Sequence, residues 1–118
     1  MKPRSCKAKG RRFQQEVRDL LLKFAPSLEP DDVRSTSMGA SGEDILFSPA
    51  ARRIYPYNIE CKNVESLNIW KAVDQAESQG NHIPLVAFKK NNKRAFVAIP
   101  LEHFMELLAQ GPQGKESW

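Results

Sequence analysis

Residues 54–62 read Ile-Tyr-Pro-Tyr-Asn-Ile-Glu-Cys-Lys, and the reading of the chain turns on the last four. Side chains alternate along an extended strand, so Ile59 and Cys61 take one face and Glu60 and Lys62 the other. A strand over 54–62 therefore shows apolar groups to a core on one side and a carboxylate beside an ammonium on the other. The backbone carbonyl of Cys61, between the two charges, adds a hard oxygen.

Working upstream, Ile45-Leu46-Phe47 reads as a strand bounded by Ser48-Pro49, and 33–38 reads as a short strand before it. Between them lies a small-residue loop containing Gly39 and Gly42, where backbone can approach a phosphate closely, and Asp44 follows it directly. Phe13, Val17, Leu20, Leu21 and Phe24 recur at helical spacing over 11–25 until Pro26 stops the run.

Downstream, Ile69, Val73 and Ala76 predict a helix over 66–79, with Ser66 as N-cap and Gly80 closing it. Residues 84–88 and 94–99 read as a hairpin around the polar turn 89–93. Pro100 suits the first position of a last helix, whose stripe of Leu101, Phe104, Met105 and Leu108 ends at Gly111. The order αβββαββα predicts an α/β domain with a mixed central sheet flanked by helices. The expected organisation is a basic flexible tail over 1–10, one domain over 11–110 and a tail over 111–118.

Composition sets the frame for function. A chain of 118 residues with 41% apolar and 27% charged content is ordinary globular usage, outside the range expected of disorder. Lys2, Arg4, Lys7, Lys9, Arg11 and Arg12 all precede the first acid, Glu16, and the net charge is +4, which points to a polyanion partner. The two cysteines, Cys6 and Cys61, have neither zinc-site nor disulfide spacing, which points to a reducing cytosol. No apolar run reaches the length of a membrane span.

Cleaving a phosphodiester requires neutralised phosphate charge, an activated water and a stabilised leaving oxygen, and carboxylates holding magnesium beside a lysine meet those needs. If the second and third strands pair, Asp44 lands beside Glu60. Two carboxylates ~4 Å apart repel by roughly 4 kcal/mol at an effective dielectric constant of ~20, a conflict that a divalent cation removes. Glu16 sits beside the apolar stripe of the first helix, so it either pairs with something or joins that site. Cys61 reads as a small core hydrophobe, and His82 and His103 as surface or capping residues. Trp70, Phe88, Phe96 and Phe104 fit core packing, while Tyr55 and Tyr57 are expected on the Glu60 side.

Glu16, the stretch Ser37-Met-Gly-Ala-Ser-Gly-Glu-Asp44 and Ile59-Glu60-Cys61-Lys62 together resemble the PD-(D/E)XK nuclease superfamily, most of all its small Holliday-junction-resolvase-like and phage members. The resemblance spans about residues 11–99; Glu43 stands where the family pattern has proline. It implies a restriction-endonuclease-like core and a metal-dependent endonuclease acting on branched DNA in a prokaryotic or phage-infected cytoplasm. Asp44, Glu60, Glu16 and the Cys61 carbonyl would hold Mg2+ or Mn2+, and Lys62 would polarise the attacking water. Gln75, on the next helix, would support the lysine or the phosphate. Ser37, Ser41, Lys71, Arg11, Arg12 and Lys9 would contact the DNA backbone, and a four-way junction would call for a homodimer. A duplex- or nick-directed nuclease and a non-catalytic DNA-binding module are the alternatives.

Overall fold

The computed structural model describes residues 3–36 and 43–111. It is an α/β protein with a two-stranded and a mixed three-stranded sheet flanked by helices. Helix α1 (Pro3–Lys23) leads through a short 3-10 turn (Pro30–Asp32) to β1 (Val33–Ser35) and β2 (Ile45–Phe47). There follow α2 (Pro49–Ile54), β3 (Tyr57–Asn63), α3 (Ile69–Glu77), β4 (Ile83–Lys89), β5 (Phe96–Ala98) and α4 (Leu101–Gln110).

Four expectations about elements change, the first being that α3 starts at Ile69 with Asn68, not Ser66, as its N-cap, Asn68 Oδ1 accepting the Lys71 N–H at 3.1 Å. Helix α1 begins at Pro3, so residues 3–10 continue the helix where a flexible tail was expected. Ile54 ends a helix where a strand was expected: Ser48 accepts the Ala51 N–H at 3.1 Å as N-cap and Pro49 occupies the first turn, an arrangement that favours a helix start. The single central sheet is replaced by two, because β2 pairs antiparallel with β1 only, while β3 pairs parallel with β4 and β4 antiparallel with β5. The hairpin of β4 and β5 and the helix that follows Pro100 form as expected. Gly111, at φ 63°, donates to Leu107 O at 3.0 Å and closes α4, a left-handed position that favours glycine.

The alternation in β3 divides the interior. Ile59 and Cys61 pack with Phe13 of α1, with Val33 and Ile45, and with Ala87 of β4. On the opposite face Ala72 and Ala76 of α3 pack with Val86, and Phe88 and Ala98 close over them. The register Glu60 to Val86 and Lys62 to Phe88 places both charged side chains on the α3 face. Arg18 of α1 donates to Val33 O at 2.7 Å and Pro30 O at 2.6 Å, tying the small sheet to the helix.

Not every aromatic residue is core. Trp70 is 77% and Phe96 53% exposed, and Phe104 is also exposed, because α3 and β5 each offer only one face to the interior and α4 buries none of its residues. Tyr57 shares the Cys61 face, as alternation requires, and its hydroxyl meets His103 Nε2 of α4 at 2.6 Å, so this histidine is a tether. Tyr55 lies outside the strand and donates to Leu21 O at 2.7 Å.

Asn58 is 2% exposed and donates to Gly80 O at 3.0 Å and His82 O at 3.3 Å, fixing the loop between α3 and β4 against β3. Asn58→Ala leaves both carbonyls short of a donor and should destabilise the fold by about 2 kcal/mol. Urea denaturation checks this; a midpoint equal to wild type would show that the loop is not held from β3.

Candidate active site

Asp44 is fixed at both ends by what its neighbours lack. In a parallel ladder successive residues point their amides to opposite edges. Ile83 N–H donates to Pro56 O and Val64 N–H to Lys89 O, so the even-numbered residues of β3 bond to β4. The odd-numbered amides face the free edge, and Cys61 N–H finds its acceptor there in Asp44 Oδ2 at 2.7 Å. The backbone carbonyl of Asp44 accepts from Thr36 N–H at 2.9 Å, extending the ladder between β1 and β2 by one rung. Asp44 therefore reaches β3 through its side chain, whereas strand pairing was the expected route.

Glu60 is 8% exposed, and burial of a carboxylate demands partners. Its Oε1 accepts from Gln79 Nε2 at 2.8 Å and its Oε2 lies 3.2 Å from Lys62 Nζ. Gln79 also donates to Ile59 O at 3.2 Å, capping the same free edge. Lys62 lines a hollow of about 190 Å3 with Asn68, Lys71 and Gln75, so the glutamine expected to attend the lysine lies beside it.

Electrostatics marks Asp44 out. Burial pushes its carboxyl up to about 6; the Cys61 N–H opposes this, Glu60 adds to it, and Lys62 partly offsets it. Burial likewise pushes the Cys61 thiol up, with Asp44 and Glu60 reinforcing the shift, so Cys61 is the inert core residue expected of it.

The remaining expected site residues divide. Glu16 is exposed on α1 and lines a separate hollow with Lys9, Arg12, Asn63 and Lys89; the structure does not bring it to Asp44 and Glu60. Arg11 is exposed on the same helix. Ser37 and Ser41 lie outside the described residues. Glu43 lies 3.9 Å from Arg52, which accounts for an acid at the position before Asp44. Gln79 was missed although it stands four residues after Gln75, and the buried amide of Asn58 was missed because nothing in its neighbours distinguishes it from a surface residue.

Among the described residues no three His, Cys, Asp or Glu side chains converge to hold a metal ion. Two carboxylates and the Cys61 carbonyl, which shares its N–H's edge, still fit a hard divalent ion completed by water. Gln79 Oε1 is buried without a donor, as an acceptor beside such a water shell can be. Comparison with protein-family models, curated proteins and solved structures finds no significant match.

The raised carboxyl has a stability consequence. In the unfolded chain Asp44 ionises near 3.8 and in the fold near 6, so the fold holds this proton more tightly. Its contribution is most favourable below the lower value, declines as pH rises through this window and is constant above it. Asp44→Asn keeps an oxygen for Cys61 N–H and removes the charge. In metal-free buffer the variant should melt above wild type at about pH 8, with the gap closing toward about pH 4. Thermal melts across that range decide it; a gap independent of pH would mean that Asp44 is not under strain.

Proposed function

We propose that the chain is a metal-dependent DNA endonuclease of the PD-(D/E)XK kind, acting on branched or structured DNA such as a four-way junction. The observation that carries this reading is the bond from Cys61 N–H to Asp44, which gathers two carboxylates and a lysine at one edge of β3. The α/β order of elements supports it, with α2 standing between the second and third strands as a departure from the αβββαββα order expected.

Asp44, Glu60 and the Cys61 carbonyl would hold Mg2+ or Mn2+, which would supply neutralisation of phosphate charge and acidification of water. Gln79 orients Glu60 through its 2.8 Å bond. Lys62 offers its ammonium to the attacking water and to the charge that develops on the phosphate, and Gln75 with Lys71 stands at the same hollow to meet the DNA backbone. A symmetric junction requires two cuts, so the working form is a homodimer.

The test incubates the protein and magnesium with labelled single strand, duplex, flap and four-way junction. Wild type should cut the branched substrates best. Asp44→Ala and Lys62→Ala should lose at least about a hundredfold in rate. Calcium should support binding without cutting. Equal cutting by the variants, or none by wild type, would overturn the reading.

One observation favours a binding-only module instead: both oxygens of Glu60 are already engaged, by Gln79 and Lys62. Under that alternative, tight and salt-sensitive DNA binding persists with no cleavage at any metal concentration.

A further inference from the structure

The turn between β4 and β5 carries charge for which the site above has no use. Residues 89–94 read Lys-Lys-Asn-Asn-Lys-Arg. Lys93 N–H donates to Lys90 O at 3.1 Å, and Asn92 sits at φ 63°, a left-handed position that asparagine tolerates better than most residues. The tight turn is also braced. Glu65 Oε2 accepts from Asn91 N–H at 2.8 Å and lies 3.8 Å from Lys9 Nζ, so one carboxylate ties the turn to α1.

The brace leaves a surplus of positive charge. Lys89 lines one hollow with Arg12, while Lys90, Lys93 and Arg94 line the other side of the turn with Glu65, and among the described residues none of these five cations lies within 4.0 Å of a carboxylate oxygen. Lys9, Arg12 and Lys89 line a polar hollow of about 380 Å3 that also presents Asn63, Asn91 and Asn92, and among the described residues Glu16 is the one carboxylate on its wall. Asn63 directly follows Lys62 in β3, so this hollow and that of Lys62 lie on opposite faces of the same strand end. Clustered cations repel one another, and a polyanion crossing the strand end relieves that repulsion in both hollows.

We propose that the β4–β5 turn, with Lys9 and Arg12 of α1, grips the backbone of DNA at phosphates beyond the one being cut. The inference rests on the nuclease reading for the identity of the polyanion and deepens it by assigning a substrate-binding element. A nucleic acid fits better than an anionic membrane, because the hollow is concave and lined with carboxamides suited to discrete phosphates. Residues 89–94 also include no apolar side chain to enter a bilayer.

The experiment measures binding of a fluorescent duplex by anisotropy in EDTA over a range of salt, using the full chain. Each phosphate contact contributes about 0.9 to the slope of log affinity against log salt. The variant Lys89→Gln/Lys90→Gln/Lys93→Gln should therefore lose about 2 to 3 from that slope, and about tenfold or more in affinity at low salt. The control Lys23→Gln/Arg34→Gln/Arg53→Gln removes the same charge at exposed positions elsewhere and should keep the wild-type slope. Lys90→Glu, a single exposed change, serves if the triple variant melts early, and should weaken binding in the same direction.

An unchanged slope in the turn variant, or equal losses in turn and control variants, overturns the proposal. So does tighter binding of wild type to phosphatidylserine vesicles than to DNA. Failure here is separable from failure of the nuclease reading. Turn-dependent DNA binding without cleavage in magnesium supports the grip and sinks the nuclease, whereas cleavage by a turn variant of wild-type affinity sinks only the grip.

Discussion

A β-strand that ends a sheet exposes one row of amides and carbonyls, and wherever that edge meets the interior each group needs a partner. In this protein the edge belongs to β3, and among the described residues no strand pairs with it. Side chains close it instead: Asp44 takes the Cys61 N–H, and Gln79 donates to the Ile59 carbonyl. The same edge that would have been filled by a neighbouring strand thus becomes the place where two carboxylates and an amide are gathered. Much of the arrangement around the site follows from that unpaired edge.

The rest of the fold serves to hold the two sides of this edge in register. Arg18 draws the small sheet onto α1, and Thr36 fixes the backbone of Asp44 from β1. Asn58 fastens the loop beside Gln79, so that Gln79 can reach Glu60. These are hydrogen bonds to backbone carbonyls or between buried side chains, where an unmet partner costs more than a bond gains. Burial of Glu60 and Asp44 is unfavourable to both, and the fold tolerates it because Lys62 and the Cys61 N–H lie within reach.

Much of this was legible in residues 59–62, because a period of two is short and unambiguous: four residues suffice to separate Ile59 and Cys61 from Glu60 and Lys62. Helix α4 and the β4–β5 hairpin were equally clear, from an apolar stripe opened by Pro100 and from two strands about a polar turn. What stayed hidden depended on distance in sequence. Residues 49–54 are too short a run for an apolar period to distinguish a helix from a strand, and the Ser48 cap decides the matter locally. Gln79 and Asn58 act only through partners some twenty residues away, which no local pattern encodes. The failure with Tyr55 and Tyr57 was different in kind, since alternation itself places Tyr57 with Ile59 and Cys61. Glu16 was read correctly as bordering the stripe; its helix simply covers the opposite face of β3 from Glu60.

That separation of faces organises the chemistry as well as the packing. On the α1 face the strand ends in Asn63, among cations from α1 and the turn, while on the α3 face it ends in Lys62, beside Gln75 and Lys71. The acids nearby are Asp44 at the free edge, Glu60 on the α3 face, Glu16 on the wall of the first hollow and Glu65, which braces the turn. A flat basic surface would attract a polyanion without selecting any one phosphate. Under the proposed function, a basic surface interrupted by acidic groups would do more: it would repel phosphate at those acids until a cation were present, while the flanking cations would hold the DNA on either side. On the proposed reading, DNA binding and metal uptake would be coupled through charge. The Asp44 carboxyl is raised chiefly by its burial and further by Glu60, so an unneutralised negative charge is unfavourable there.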